Sequence, residues 1–342
     1  VYLAVMVSAA IATWLLSLAA TCPQFFLAAL GVGIAGGSFA VGVAYVSRWY
    51  PTQKQGTAPG IFGAGNVGAA VTKFIAPFVM VAYGWQTVAQ VWSIGLLVMA
   101  AIFWFSTRDD PALAERRRSG AKPEPIMAQL APLRKLQVWR FSLYYFFVFG
   151  AFVALALWLP RYYVGVYGLD ITMAGMLGAA YSIPGSVFRA LGGVLSDKYG
   201  ARRVMYWTFI ASVVCTFLLS YPATRYTVTG IRGPIEFTIA IGFVPFTLLT
   251  FVLGFFMSLG KAAVYKHIPV YYPRHVGSVG GAVGLIGGLG GFVLPIAFGA
   301  MNDLVGVWTS CFMLLFVLST LSLVWMHFAI LFMERRRRPE LA

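Results

Sequence analysis

Acidic residues are scarce in this chain. Its 342 residues include 10 Asp and Glu against 25 Lys and Arg, and charged residues make up only 10%. That excludes an ordinary water-facing surface, which interleaves many charges of both signs. Every acid (Asp109, Asp110, Glu115, Glu124, Asp170, Asp197, Glu236, Asp303, Glu334 and Glu340) falls in a polar connection or near the end of an apolar run. Histidine and cysteine are sparse too. His267, His275 and His327 make no ligand cluster, and Cys22, Cys215 and Cys311 have no metal spacing, so the cysteines read as helix-packing residues. With no nucleophile, metal cluster or catalytic acid pair near the apolar stretches, an enzyme is not expected. The polar middle of the chain is too short for a signalling domain.

Apolar sequence dominates what is present. Hydrophobic residues make up 60%, and mean hydropathy is +0.81, the composition of a polytopic helical membrane protein. Runs of roughly 20 apolar residues predict ten helices, near 1–20, 25–47, 57–82, 86–106, 140–164, 171–192, 203–221, 236–260, 276–299 and 307–332. A polar connection, Thr107–Gln137, separates the first four from the last six, and a basic tail, Arg335–Arg338, follows the last. The expected divisions are 1–106, a central loop 107–139, a six-helix half 140–333 and the tail 334–342.

The net charge of +15 does not point to nucleic acid, because the basic residues sit between the spans. Twenty lie on the central-loop side: Arg48, Lys54, the loop cluster of Arg108, Arg116–Arg118, Lys122, Arg134, Lys135 and Arg140, then Lys198, Arg202, Arg203, Lys261, Lys266, Arg274 and the tail. Arg161, Arg225 and Arg232 lie on the other. The positive-inside rule then puts the central loop and the C-terminus in the cytoplasm. Two cations, Lys73 and Arg189, remain inside spans with no carboxylate beside them in sequence. An uncompensated buried cation is costly, and an anion that comes and goes would relieve it. Arg189 precedes Asp197 by eight residues, about 12 Å of helix, which sets it near mid-membrane, where transporter sites cluster.

Two stretches are rich in glycine. In GIFGAGNVGAAVTKFIAP, Gly60, Ala64, Gly68 and Thr72 form a four-residue ridge, and Asn66 and Lys73 share a face. In GSVGGAVGLIGGLGGFVLP, Gly277, Gly281, Gly284, Gly288 and Gly291 line one face. Pro77 and Pro295 close the two motifs. Each stretch is the fifth helix of a half in a six-plus-six plan whose first two helices are missing. The chain begins at Val1 inside an apolar run, without Met, and reads as a piece of a longer one. Small residues let helices approach closely, and such helices could flank a central cavity.

The segment GGVLSDKYGARR resembles the cytoplasmic G-x-x-x-D-R/K-x-G-x-R-R loop of the major facilitator superfamily, with Gly193, Asp197, Lys198, Gly200, Arg202 and Arg203 in register. Within it, GAGNVGAAVTKFIAP and GGLGGFVLP are similar to the two nitrate signatures of the nitrate/nitrite porter (NarK-type) family, and the resemblance covers the whole chain. It implies an all-α polytopic protein of the major facilitator fold with about ten of twelve transmembrane helices present, helices 3–12. It also implies an anion clamp of two arginines. Arg189 matches the helix 8 arginine; the helix 2 partner is not in this sequence. The other site positions it implies are Phe39, Asn66, Gly63, Tyr145, Phe149 and Gly287. The expected activity is secondary transport of nitrate or nitrite by alternating access in the cytoplasmic membrane. Nitrate/proton symport with Lys73 as coupling residue is one scheme. Nitrate/nitrite exchange, or a carrier for another small anion, is the alternative. The expected partners are nitrate or nitrite, protons and the lipid bilayer. The chain is expected to be a monomer that needs no cofactor, metal or nucleic acid.

Overall fold

A computed structural model describes residues 2–107 and 125–337. The central-loop cluster Arg108, Arg116–Arg118 and Lys122, the acids Asp109, Asp110, Glu115, Glu124 and Glu340, and Arg338 lie outside the described residues.

Ten apolar helices carry the fold: α1 (Tyr2–Ser17), α2 (Cys22–Trp49), α3 (Thr57–Tyr83), α4 (Trp85–Ser106), α5 (Leu136–Tyr167), α6 (Ile171–Tyr199), α7 (Ala201–Leu219), α8 (Phe243–Tyr271), α9 (Val276–Val305) and α10 (Ser310–Arg337). All but α1 are long and apolar enough to cross a membrane. Lipid-facing chemistry is plain on the outside, where Phe26, Leu27, Val81 and Phe105 are exposed; in hydrocarbon such surfaces need no cover. The densest core lies in the second half, around α5, whose Phe147, Leu155 and Leu159 are fully buried.

Local chemistry sets the boundaries. Asp170 caps α6, accepting from the amides of Thr172 and Met173 at 2.9 Å each. Gly200, at φ +87°, makes the sharp turn into α7. Of the motif read as a loop, Gly193, Asp197 and Lys198 belong to α6, Arg202 and Arg203 to α7, and Gly200 alone is the turn. Pro77 and Pro295 do not end their helices, since α3 continues to Tyr83 and α9 to Val305. Three helices carry irregular turns at their glycines: 3₁₀ turns at Ile34–Gly37 in α2 and Ala64–Asn66 in α3, and a π segment at Phe146–Ala151 in α5.

Two expectations are corrected. The run from 236 is not helix. Thr224–Gly230 and Gly233–Ile239 form an antiparallel hairpin, and α8 starts only at Phe243. β-Branched residues on both arms, and a turn closed by Gly233 at φ +130°, favour pairing over helix. In consequence α8 runs on to Tyr271 and takes in Lys261 and Lys266, which had been assigned to a connection.

Candidate functional site

α3 and α6 pack antiparallel along their length, joining the two halves. Near one end, Gly56 faces Gly193 and Asp197; further along, Gly60 sits on the Arg189 backbone, Lys73 meets Ser182, and Pro77 reaches Gly175. The close-contact glycines of α3 are therefore Gly56, Gly60 and Gly63. Gly68, part of the ridge expected from sequence, faces open space, and Thr72 accepts a 2.7 Å bond from the Trp92 indole of α4.

Arg189 lies at the middle of this seam, 0% exposed. A Cβ at Gly63 would fall inside its guanidinium, so only glycine leaves room for it. Nη2 donates to the Tyr145 hydroxyl at 3.3 Å, whereas Nε and Nη1 have no partner. No acid pairs with Arg189 among the described residues. Aromatic rings surround it: Phe39 lies 4.7 Å from the guanidinium carbon and Tyr265 5.7 Å. Tyr145 stacks on Phe149 with ring centres 5.0 Å apart, and its edge meets Tyr265 at 4.8 Å. Tyr265 also meets Phe39 at 5.2 Å.

α9 fits this box through its glycines. A Cβ at Gly287 would enter the Tyr145 ring, and one at Gly284 would come within 2.9 Å of the Tyr265 hydroxyl. That hydroxyl donates to Gly280 O at 3.0 Å. Gly290 meets the backbone of Gly150 in the π segment. The packed face thus runs through Gly280, Gly284, Gly287, Gly290 and Gly291, the last against Val153; of those expected on it Gly284 and Gly291 pack, whereas Gly288 faces open space.

The structure brings Arg189, Tyr145, Phe149, Phe39, Gly63 and Gly287 to one place. Asn66 sits on the 3₁₀ turn, half-buried, with no bond to a described side chain or backbone group. Lys73, also half-buried, donates to Ser182 Oγ at 3.3 Å. Two residues were missed. Tyr265 completes the aromatic box, and Lys261 is fully buried, its ammonium 2.7 Å from Gly185 O. The signal for both was available in the length of the apolar run from Phe243, which was cut short at 260.

At the Asp197 end the halves are tied together. The Asp197 carboxylate accepts from the amides of Gly56 (2.9 Å) and Thr57 (2.7 Å) and from the Thr57 hydroxyl (2.6 Å), and pairs with Lys266 of α8. It caps the start of α3 from the opposite half, where a negative charge also meets the positive end of the helix dipole. Arg202 donates to the Tyr271 hydroxyl at 3.1 Å and forms an ion pair with Glu334 at 3.8 Å; Lys198 lies over the Tyr199 ring at 5.2 Å, and Arg203 is exposed.

A family model described as Major Facilitator Superfamily matches residues 1–244 and 171–342. "Probable nitrate/nitrite antiporter NarK1" of Thermus thermophilus is 44% identical, over 94% of this chain and 74% of that protein. "Nitrite extrusion protein" of Bacillus subtilis (strain 168) is 31% identical, over 86% and 69%. "Probable nitrate transporter NarT" of Staphylococcus epidermidis is 29% identical, over 92% and 74%. Among solved structures, the human organic anion transporter MFSD10 superposes with a TM-score of 0.67 at 14% identity, over 95% of this chain and 76% of that one. The transporter FucP in its outward conformation gives 0.66 at 14%, over 96% and 81%.

Proposed function

Taking as premise that this chain belongs to the nitrate/nitrite porter family of the major facilitator superfamily, we propose that it carries nitrate and nitrite across a membrane by alternating access, with Arg189 holding the anion. The carrying observation is the guanidinium itself, fully buried, bound by no acid among the described residues, with Nε and Nη1 unpartnered. Those two groups offer a planar donor surface to a planar anion. Tyr145 adds a hydroxyl, and Phe39, Phe149 and Tyr265 supply apolar walls that suit a weakly hydrated monovalent ion. Phosphate or sulfate would lose more hydration than these walls can replace. Asn66 stands free to donate from its amide, and Gly63 and Gly287 give the space that the arginine and tyrosine fill.

The Asp197 cluster is the gate in this reading. It locks α3 to α6 and α8 at the end that the charge distribution assigns to the cytoplasm, together with the C-terminus. The glycine faces of α3 and α9 let the halves rock about the site. The driving force is a proton moving with the anion, and a lysine next to the clamp is the natural carrier; from sequence that lysine is Lys73. Exchange of nitrate for nitrite is the second reading, favoured by the name of the Thermus relative. The carrier works as a monomer in the cytoplasmic membrane.

Calorimetry of the intact carrier with sodium nitrate tests the site. Arg189→Ala should abolish binding. Arg189→Lys should weaken it roughly 30-fold or more, since each hydrogen bond to a charged group contributes about 1.5–3 kcal/mol and a point charge cannot reproduce the fork. Nitrite should displace nitrate and acetate should not. Unaltered nitrate affinity in Arg189→Lys, or displacement by acetate at equal concentration, sinks the reading.

A further inference from the structure

Lys261 brings a third cation to the seam. Its side chain is 0% exposed. Nζ donates to Gly185 O at 2.7 Å and stands 3.0 Å above the centre of the Phe152 ring. Residue 185 is glycine because a Cβ there would enter that ring. Packing around this part of α8 is tight: Gly260 sits against Thr208 and Val148, and Gly192 against Leu259. The ammonium is left one acceptor and one ring face.

Each helix packed near Lys261 can be searched for a compensating charge. α3 contributes Lys73, bound to Ser182, one turn from Gly185. α6 contributes Arg189, one turn the other way, and Tyr181, whose hydroxyl is bonded to Met257 Sδ at 3.7 Å. α5 contributes Phe152 and, nearer Arg189, Tyr145. On α8 itself stand Tyr265, bonded to Gly280 O, and Lys266, paired with Asp197. α7 offers the Thr208 hydroxyl, which donates to Phe256 O at 3.1 Å, and no acid. Asp197 is twelve residues along α6 from Gly185, about 18 Å of helix. Among the described residues none of these neighbours is an acid.

Three cations thus meet α6 between Ser182 and Arg189, within roughly 10 Å of helix. A charge of +3 held there without an anion is far costlier than a single one. Arginine keeps its proton, whereas a buried lysine can release one. The local charge can therefore fall in two ways, by arrival of an anion or by loss of a lysine proton, and each makes the other unnecessary.

We propose that Lys261 is the proton carrier of this porter, protonated while Arg189 holds the anion and neutral when that site is empty. One proton and one monovalent anion then bind together, and by linkage each strengthens the binding of the other. The proposal rests on the anion-site reading above. Lys261 is favoured over Lys73 because it is fully buried, whereas Lys73 is half-buried. A neutral amine keeps an N–H for Gly185 O, so both protonation states fit the same packing. The lysine lone pair takes the proton from the side to which the site is open and gives it up on the other, and no further reactant is needed. Once the site closes, the proton is sealed in with the anion.

The test uses the intact carrier, purified in lightly buffered detergent with a pH-indicator dye, and sodium nitrate as ligand. Wild type should take up close to one proton per nitrate bound. Lys261→Gln and Lys261→Arg should bind nitrate with at least a fivefold smaller proton uptake. In proteoliposomes, Lys261→Arg should keep nitrate–nitrate exchange and lose uptake driven by a proton gradient. If Lys261→Gln fails to fold, Lys261→Arg, which keeps the charge, decides alone. One proton per nitrate in Lys73→Gln supports the assignment. Loss there with retention in the Lys261 variants returns the role to Lys73 and overturns it. Wild type that binds nitrate with no proton uptake overturns the proposal and leaves the nitrate site standing. Wild type that ignores nitrate but takes up a proton with another small anion, through Lys261, upholds the proposal and overturns the nitrate reading.

Discussion

Replacing Asp197 by alanine removes three hydrogen bonds that tie the halves together, and an ion pair with Lys266 inside the second half. The three acceptor roles in this cluster all belong to one carboxylate, so the loss can be estimated. An N-cap acid replaced by alanine costs about 0.5–2 kcal/mol, and bonds to a charged group contribute about 1.5–3 kcal/mol each. The Lys266 pair lies within one half and survives opening, so it does not enter this sum. Because water replaces these partners once the halves part, about 3 kcal/mol is a fair net figure. That amounts to roughly a hundredfold shift of the closed-to-open ratio. Spin labels at Lys54→Cys and Lys198→Cys, both exposed and one in each half, would report the change, in a background where exposed Cys22 is serine. Pulsed dipolar spectroscopy should show a single short-distance population in the parent and a growing long-distance one in Asp197→Ala. A ratio within threefold of the parent would refute the reasoning and reduce the cluster to an ordinary helix cap.

Other substitutions probe the packing. Gly63→Ala places a methyl inside the Arg189 guanidinium and should raise the KM for nitrate at least tenfold with normal expression; Gly68→Ala, which meets open space, should leave transport unchanged and gain up to about 1 kcal/mol of helix stability. Gly290→Val drives a branched side chain into the backbone of Gly150, so thermal unfolding in detergent should fall by several degrees. Tyr265→Phe removes the hydroxyl that reaches Gly280 O; stability should drop by about 1 kcal/mol, with the ring still walling the site.

Helix number and order were legible because an apolar run of membrane length is a strong, local signal. Arg189 was legible for the same reason, since a lone cation in such a run stands out. What sequence could not give was phase. Gly68 and Gly288 lie on regular spacings, yet the 3₁₀ turn of α3 and the contacts of α9 put Gly63 and Gly287 against Arg189 and Tyr145 instead. Lys261 was hidden by its neighbours: with Lys266 and Arg274 close behind, it reads as part of a charged connection, and only the continuation of α8 to Tyr271 draws it inside. The hairpin was spelled out by the β-branched residues Thr224, Thr227, Val228 and Thr229 and the glycines of the turn. Its second arm, IEFTIAIGF, is apolar enough to pass for the start of the next span.

That hairpin gives experimenters a handle. Its two strands pair with each other along their length, and Ile231 at the tip is fully open to its surroundings. A peptide tag or small fluorescent protein inserted there lengthens a loop at little entropic expense, on the face of the molecule opposite Asp197. An antibody or quencher added to whole cells would then read the sidedness of the carrier directly, from a position that neither half needs in order to move.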